Sequence, residues 1–178
     1  RTDCTDPNLT GIKAALELRE ELKDKVTIQV VAFPQNGMYS YEAEGKTGRD
    51  LVEEALQLGA DCVGGIPHNE WARSIGEDSI KEIVRLALKY DKYIDVHCDE
   101  TDDTQARFLE LLNAEVLKQS YGARTTASHT CSFGSVNDAY AFRMMGLFKK
   151  SGIHFISCPT ENAFLQGRQD SYPKRRGL

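Results

Sequence analysis

The stretch YIDVHCDE, residues 93–100, is a short apolar run that ends in a histidine and passes directly into an acidic turn. Its β-branched and aromatic residues are typical of a β-strand, which we expect to start at Tyr93 and to end near His97. Thr101 then has the side chain of a helix N-cap, and two acidic residues follow it in the first turn of the predicted helix. The pattern predicts a strand, a tight acidic loop and a helix, in that order.

A histidine at the carboxyl end of a strand, followed by a carboxylate three residues later, has two interpretations. It is the layout of an active site, but it also fits a core histidine followed by a solvated helix start. Alternate residues of a strand face opposite ways, so Glu100 can join His97 only if the chain turns between them. Taken alone, the stretch favours the structural interpretation.

The rest of the chain repeats this order of strand and helix. Apolar runs rich in β-branched residues predict strands at 26–33, 61–66, 93–97, 124–128 and 153–158. Apolar stripes with helical spacing predict helices at 10–25, 49–58, 77–90, 102–120 and 135–151. Residues 160–178 are predicted to be irregular. This alternation indicates a parallel α/β sheet, either doubly wound or part of a (β/α)₈ barrel.

The composition excludes several classes of partner. The chain has 178 residues, 40% of them hydrophobic and 28% charged, with a net charge of −5. These values are typical of a globular protein and argue against nucleic acid or an acidic membrane surface as a partner. No apolar run approaches the length of a membrane span. The five cysteines form no C-x-x-C pair, which indicates reduced thiols and a cytoplasmic location.

Polar residues follow the predicted strands at the edge where parallel α/β proteins carry their chemistry. Gln35, His68, His97 and His129 each lie at or just after the carboxyl end of one of the strands, whereas His154 starts its strand and is expected to be structural. The sequence contains no glycine-rich phosphate loop and none of the zinc-protease or α/β-hydrolase motifs. These observations favour a metal or acid/base site over nucleotide binding.

Six segments, in one order over nearly the whole chain, carry a resemblance to a known family. They are VAFPQ at 31–35, LGAD at 58–61 with GGIPH at 64–68, IDVHCDE at 94–100, TASHT at 126–130, LQGR at 165–168 and YPKRRG at 172–177. Together they resemble the bacterial cytosine deaminases of the amidohydrolase superfamily, which are metal-dependent (β/α)₈ barrels. The chain is also similar, less closely, to the N-isopropylammelide and creatinine deaminase branches.

The resemblance implies a role for four residues of this chain. His97 corresponds to a metal ligand of the fifth strand, and Glu100 to the carboxylate that transfers protons. His129 corresponds to the histidine that contacts the reacting water, and Gln35 to the glutamine that binds the substrate's amide edge. The family's His-x-His pair and a later aspartate have no counterpart, and Asp3 stands where the family commonly has a histidine.

The resemblance also implies the extent of the fold. We expect a partial (β/α)₈ barrel of about five strand–helix units, strands two to six, in which residues 1–178 are the central portion. The metal is expected to be one Fe²⁺ or Zn²⁺ ion with its remaining ligands outside this chain. A complete barrel takes about 250 residues, so the chain by itself is expected to be an inactive part of a longer enzyme.

The predicted function is hydrolytic deamination of a small nitrogen heterocycle: cytosine, or a related aminopyrimidine, plus water gives uracil and ammonia. The alternatives are another cyclic amidine or triazine amidohydrolase, such as a creatinine or N-isopropylammelide deaminase, and a non-catalytic α/β ligand-binding domain. The full-length protein is expected to be a homo-oligomer. In the enzyme Gln35, His97, Glu100 and His129 should converge, whereas in the binding domain they should scatter.

Overall fold

The computed structural model describes residues 1–168. The chain consists of two compact units, Arg1–Asp95 and Val96–Leu178, and the strand–helix alternation predicted from the sequence is confirmed in both. The described residues contain eight β-strands and six α-helices. Among these helices, none combines the length and the apolar composition that a membrane crossing requires.

The first unit contains the strands β1 to β5, the helices α1 to α3 and the start of β6. These elements are β1 (Thr2–Asp3), α1 (Thr10–Leu22), β2 (Val31–Phe33), β3 (Glu42–Ala43), β4 (Lys46–Thr47), α2 (Gly48–Leu58), β5 (Cys62–Gly65) and α3 (Arg73–Tyr90). Strands β1, β2 and β5 are neighbours in that order and run parallel, while β3 and β4 form an antiparallel hairpin. A short 3₁₀ turn, Pro67–Asn69, follows β5.

Helices α2 and α3 of the first unit each bury one face that is largely apolar. The buried face of α2 consists of Gly48, Leu51, Val52, Ala55 and Leu56, and that of α3 includes Ile80, Ile83, Val84, Leu86 and Ala87. Helix α2 begins at a capping box formed by Thr47 and Asp50 and ends at Gly59, whose φ of 118° favours glycine. Helix ends that are satisfied in this way leave few backbone groups without partners.

The second unit contains the end of β6 and five further elements. They are β6 (Tyr93–Cys98), α4 (Phe108–Lys118), β7 (Thr125–His129), α5 (Asp138–Ser151), β8 (His154–Ile156) and α6 (Pro159–Leu165). Strands β6, β7 and β8 are neighbours in that order, and β8 runs parallel to β7 with Ala127 opposite Phe155. Two 3₁₀ turns, Gly122–Arg124 and Cys131–Ser135, flank β7.

Several predicted boundaries are wrong. Residues 26–30 are not part of β2; the Asp61 carboxylate accepts a hydrogen bond from the backbone N–H of Val30 at 2.8 Å. Residues 160–165 are helical rather than irregular and form most of α6, with Pro159 in its first turn. The two-residue strand β1 adds a sixth parallel strand to the five predicted runs. The predicted YPKRRG segment at 172–177 lies outside the described residues.

The predicted start of the helix after β6 is also wrong. Thr101 is not its N-cap, because α4 begins at Phe108 and residues 101–107 form a loop. The buried Asp99 carboxylate accepts hydrogen bonds from the backbone N–H groups of Phe108 and Leu109, both at 2.9 Å. A carboxylate at this position satisfies two of the unpaired N–H groups of the helix start and interacts favourably with its dipole. The helix is therefore capped from a residue that lies far upstream of it.

Candidate active site

The turn at the end of β6 brings a histidine and a glutamate together. His97 is the last residue but one of β6, and Glu100 follows the strand by two residues. Asp99 between them has a φ of 55°, a left-handed conformation that aspartate tolerates better than most residues. Its side chain caps α4, so the conformation is held in place from the helix. The chain turns here, which was the condition for His97 and Glu100 to meet.

The end of β7 supplies the second histidine. His129 is the last residue of β7, is fully buried and has a φ of 71°, and Thr130 after it has a φ of 47°. The backbone N–H of Thr130 donates to the carbonyl oxygen of Cys98 at 3.1 Å, which ties the ends of the two strands together. The His97 and His129 rings are consequently neighbours, with their centroids 4.3 Å apart and their planes at 57°.

The Glu100 carboxylate bridges the two histidines. Its Oε2 atom lies 3.1 Å from Nδ1 of His97, and its Oε1 atom lies 3.3 Å from Nδ1 of His129. The exposed fractions of the His97, Glu100 and His129 side chains are 13%, 10% and 0%. A carboxylate held between two imidazoles and shielded from solvent is well placed to accept, store and return a proton.

Burial sets the charge state of His129. Desolvation lowers the pKa of the His129 ring below its usual value of 6.5, and nearby His97 acts in the same direction, while the Glu100 carboxylate opposes both. His129 is therefore neutral near pH 7. A neutral imidazole has one nitrogen with a lone pair, which can accept a proton or bind a metal ion.

The donor set of this cluster fits a transition-metal ion. His97, Glu100 and His129 each offer a ligand atom, and the three atoms all lie within 4.8 Å of one another. Within residues 1–168, the buried Nε2 atom of His129 has no hydrogen-bond partner. Imidazole nitrogen together with a carboxylate oxygen suits Fe²⁺ or Zn²⁺. His129, Cys158 and Glu161 form a second group whose ligand atoms also lie within 4.8 Å of one another, so His129 belongs to both.

Asn162 belongs to the site and was not predicted from the sequence. It lies on α6, is fully buried, and its side-chain amide is within hydrogen-bond distance of both His129 and Glu100. Its segment was expected to be irregular, and Pro159 at the helix start is the signal that could have revealed α6. Nothing in the sequence pattern distinguishes Asn162 from an exposed asparagine.

The predicted substrate-binding residue, Gln35, lies in the first unit. It follows β2 after Pro34, is exposed, and its carbonyl oxygen accepts a hydrogen bond from the Asn69 side chain at 3.4 Å. The next residue, Glu70, accepts hydrogen bonds from the backbone N–H groups of Met38 at 2.7 Å and Ser40 at 2.9 Å, which fixes the loop after Gln35. The predicted convergence is confirmed for the three residues of the second unit, and the role of Gln35 stays a prediction.

Three further residues considered in the sequence analysis have surroundings typical of residues without a role in catalysis. They are His154, His68 and Cys98. His154 starts β8, is exposed, and its ring lies 3.3 Å from the carbonyl oxygen of Ala123. His68 is half-buried in the 3₁₀ turn after β5. Complete burial raises the pKa of the Cys98 thiol well above its usual value, so it remains protonated and is a poor nucleophile.

Comparison with known proteins identifies the family and similar structures. A model of the Amidohydrolase family matches residues 5–178. N-isopropylammelide isopropyl amidohydrolase from Pseudomonas sp. (strain ADP) is 32% identical over 149 residues, which are 83% of this chain and 36% of that protein. Pterin deaminase from Rhizobium rhizogenes is 30% identical over 164 residues, or 91% of this chain and 36% of that protein.

A solved structure is more similar still. The crystal structure of 5-methylcytosine deaminase from Klebsiella pneumoniae liganded with 5-fluorocytosine matches with a TM-score of 0.93 and 50% identity, over 99% of this chain and 42% of that chain. The present chain therefore spans well under half the length of the proteins that it matches. The resemblance inferred from the sequence motifs is confirmed at the level of the family.

Proposed function

Because the chain belongs to the amidohydrolase family, we propose that it carries catalytic residues of a hydrolytic deaminase acting on an amino-substituted nitrogen heterocycle. The substrate is cytosine or a related aminopyrimidine, and the products are the corresponding oxo compound and ammonia. The observation that carries this proposal is the Glu100 carboxylate held between His97 and His129. The 50% identity to a 5-methylcytosine deaminase supports the choice of substrate class.

His97 is proposed as a metal ligand, with Fe²⁺ or Zn²⁺ as the metal and further ligands outside the described residues. A divalent ion bound there would supply a Lewis acid, which lowers the pKa of water near it. The imidazole of His97 would help to hold the ion, and the hydrogen bond from its Nδ1 to Glu100 would fix the orientation of the ring.

Glu100 is proposed as the proton-transfer group. Deamination adds water to the ring carbon that bears the amino group and then breaks the bond from that carbon to the amine nitrogen. The carboxylate accepts one proton from the attacking water and donates it to the ring nitrogen. It then accepts the second proton of the same oxygen and passes it to the amine nitrogen, so that the carbon–nitrogen bond breaks, ammonia leaves and the oxygen becomes a carbonyl. Its contacts with both histidines hold it in place while its protonation state changes.

His129 and Gln35 are proposed to act on the reacting oxygen and the substrate. The neutral His129 ring orients the attacking water by accepting a hydrogen bond from it. Gln35 offers one acceptor and two donors, which match a ring carbonyl and an adjacent N–H of a pyrimidine.

A second candidate function has a specific observation in its favour. The 32% identity to an N-isopropylammelide amidohydrolase and the 30% identity to a pterin deaminase favour a triazine, a pterin or another cyclic amidine as the substrate. The non-catalytic alternative is disfavoured because His97, Glu100 and His129 lie together.

The cellular setting is proposed on the same basis. Four of the five thiols are buried, and burial raises the pKa of Cys4, Cys62 and Cys131 to about 12, which suits a reducing compartment such as the cytoplasm. We propose a homo-oligomer that binds a small heterocycle. Sedimentation of the intact protein tests the oligomeric state.

The decisive experiment measures amine release from a panel of heterocycles by the intact protein, supplied in turn with Fe²⁺ and Zn²⁺. The panel contains cytosine, 5-methylcytosine, isocytosine, creatinine, N-isopropylammelide and pterin. We expect the highest kcat/KM with an aminopyrimidine. A preference for the triazine or the pterin would favour the second candidate function, and no turnover of any compound would refute both.

A further inference from the structure

Helix α6 contributes one side chain to the interior of its unit. Of the seven residues of this helix, all of them described, Asn162 is the one that is buried. The loop that carries Glu100 is joined to the end of the same helix, because Asp102 accepts a hydrogen bond from the backbone N–H of Gly167 at 2.6 Å. A fully buried primary amide needs partners for its oxygen and for both of its N–H groups.

The neighbours of Asn162 determine which end of its amide faces which group. Nδ2 lies 3.1 Å from Oε1 of Gln166, 3.1 Å from Nδ1 of His129 and 3.3 Å from Oε1 of Glu100. Its two N–H groups are enough for the two oxygens only if Nδ1 of His129 carries a proton and is not a third acceptor. An ionised carboxylate only accepts hydrogen bonds, and the opposite orientation would place the amide oxygen against the oxygen of Glu100. The remaining atom, Oδ1 of Asn162, lies 3.3 Å from Nδ1 of His129.

We propose that Asn162 is a positioning residue that sets the tautomer of His129. Its Oδ1 atom accepts a hydrogen bond from Nδ1–H of His129, so the neutral ring carries its lone pair on Nε2. In the opposite tautomer Nδ1 of His129 would be a third acceptor for the two N–H groups of Asn162, and its lone pair would face Oε1 of Glu100. A buried N–H on Nε2 would also have no acceptor among the described residues.

The consequence for catalysis rests on the proposed function. In the tautomer set by Asn162, Nε2 of His129 can accept a hydrogen bond from water or bind a metal ion. In the other tautomer the same atom could only donate. The gain for the reaction is that the ring is in the useful form before the substrate arrives, so no proton has to be rearranged within the site.

The direct test is NMR of the intact protein with isotope-labelled histidine, loaded with diamagnetic zinc. The ring signals of His129 are assigned by their loss in His129→Gln, and their nitrogen and Cδ2 chemical shifts report the tautomer. We expect Nδ1–H in the wild type and in Asn162→Asp, which keeps an acceptor. We expect loss of this single tautomer in Asn162→Leu, which has similar volume and no polar atom. A wild-type ring protonated on Nε2 would overturn the proposal.

Phe164→Ala is the matched control. Phe164 lies on the same helix with its side chain 71% exposed, and its substitution should leave the His129 signals unchanged. A tautomer unchanged in Asn162→Leu would assign the effect to Glu100 and also refute the proposal. If Asn162→Leu does not fold, the tautomers of the wild type and of Asn162→Asp still test the proposal, and a ring protonated on Nε2 in either protein would refute it.

Kinetics separate this inference from the proposed function. Asn162→Leu should lower kcat by about 10- to 100-fold and change KM little, because the loss is in the reacting centre rather than in substrate binding. The tautomer is measured without substrate. The expected tautomers without turnover of any heterocycle would refute the proposed function alone, whereas turnover with the wrong tautomer would refute this inference alone.

Discussion

Nδ1 of His97 lies 3.1 Å from Oε2 of Glu100, although a straight strand would carry the two side chains to opposite faces. The contact exists because Asp99 between them has a left-handed backbone and is anchored by its two hydrogen bonds to the start of α4. The position of the proposed proton-transfer group therefore depends on a buried carboxylate that itself takes no part in the chemistry.

The first prediction concerns Glu100. Glu100→Gln keeps the shape of the side chain but removes its ability to accept a proton. We expect the variant of the intact protein to retain its metal and to lose deaminase turnover by about 10²- to 10⁴-fold. The control is Glu115→Gln on α4, where the carboxylate pairs with Lys118 at the surface. Near-normal turnover of Glu100→Gln would remove this residue from the mechanism.

The second prediction separates the two histidines. His97→Ala should lower the metal content measured by elemental analysis, because a proposed ligand is lost. His129→Ala should retain much of the metal while turnover falls, because its proposed partner is the reacting water. His68→Ala, in the 3₁₀ turn after β5, should retain the metal. Equal metal loss in the first two variants would make His129 a ligand as well.

The fold could be predicted from the sequence to a large extent. Period-2 and period-3.6 apolar patterns located every parallel strand except the two-residue β1, and five of the six helices. Boundaries were missed where a distant side chain decides them. Asp61 binds the backbone of Val30, and Asp99 caps α4 nine residues after its own position. Such contacts are made by tertiary structure and leave no local pattern.

The site could be predicted in part. His97 and His129 lie at the carboxyl ends of strands and Glu100 follows one, and residues in such positions meet at one edge of a parallel sheet. Asn162 could not be found in this way, because it lies within a short helix whose pattern is polar. Its importance comes from its burial and from the orientation of its amide, and neither is encoded in residue spacing.

The third prediction uses two glycines of the second unit that have opposite surroundings. A Cβ atom at Gly122 would lie 1.9 Å from the carbonyl oxygen of Ser151, and one at Gly146 in α5 would meet nothing within 4 Å. Gly122→Ala should destabilise the protein by about 3 kcal/mol or prevent folding, because backbone must move. Gly146→Ala should stabilise it by up to about 1 kcal/mol through helix propensity. Thermal unfolding measures both, and equal effects would contradict the prediction.

The fourth prediction is a loss of stability in acid. A hydrogen bond from Arg85 holds the pKa of the Glu82 carboxyl below its usual value, burial opposes this shift, and Arg49 adds to it. The folded protein therefore binds fewer protons than the unfolded chain as the pH falls through about 4.3. The contribution of the ion pairs is complete above that pH and is lost as the pH falls through the folded-state pKa.

Chemical denaturation at a series of pH values checks this effect. Glu82→Gln should lower the free energy of unfolding at pH 7 by about 1 kcal/mol and flatten its decline in acid. Glu17→Gln, at an exposed position of α1, is the control and should leave the pH profile unchanged. A Glu82→Gln profile that parallels the wild type would show that these pairs do not contribute.

The fifth prediction concerns the loop after Gln35. The Glu70 carboxylate accepts hydrogen bonds from the backbone of Met38 and Ser40, so Glu70→Ala would leave buried N–H groups without acceptors. We expect a loss of about 2–3 kcal/mol and faster amide hydrogen exchange at these two residues. Glu42→Ala, at the exposed position of β3, is the control. Unchanged exchange would mean that the loop is held by other contacts.

A helix of seven residues is too short to be stable in water by itself, so α6 depends on what it packs against. Its buried side chain is polar, and that side chain also contacts His129 and Glu100. Mutational tolerance along α6 should therefore be very uneven, with broad acceptance at the exposed positions and almost none at residue 162. One amide both anchors the helix and contacts the two proposed catalytic residues. A substitution at residue 162 that weakens the packing of α6 should therefore also lower activity, and natural selection on activity would act against it.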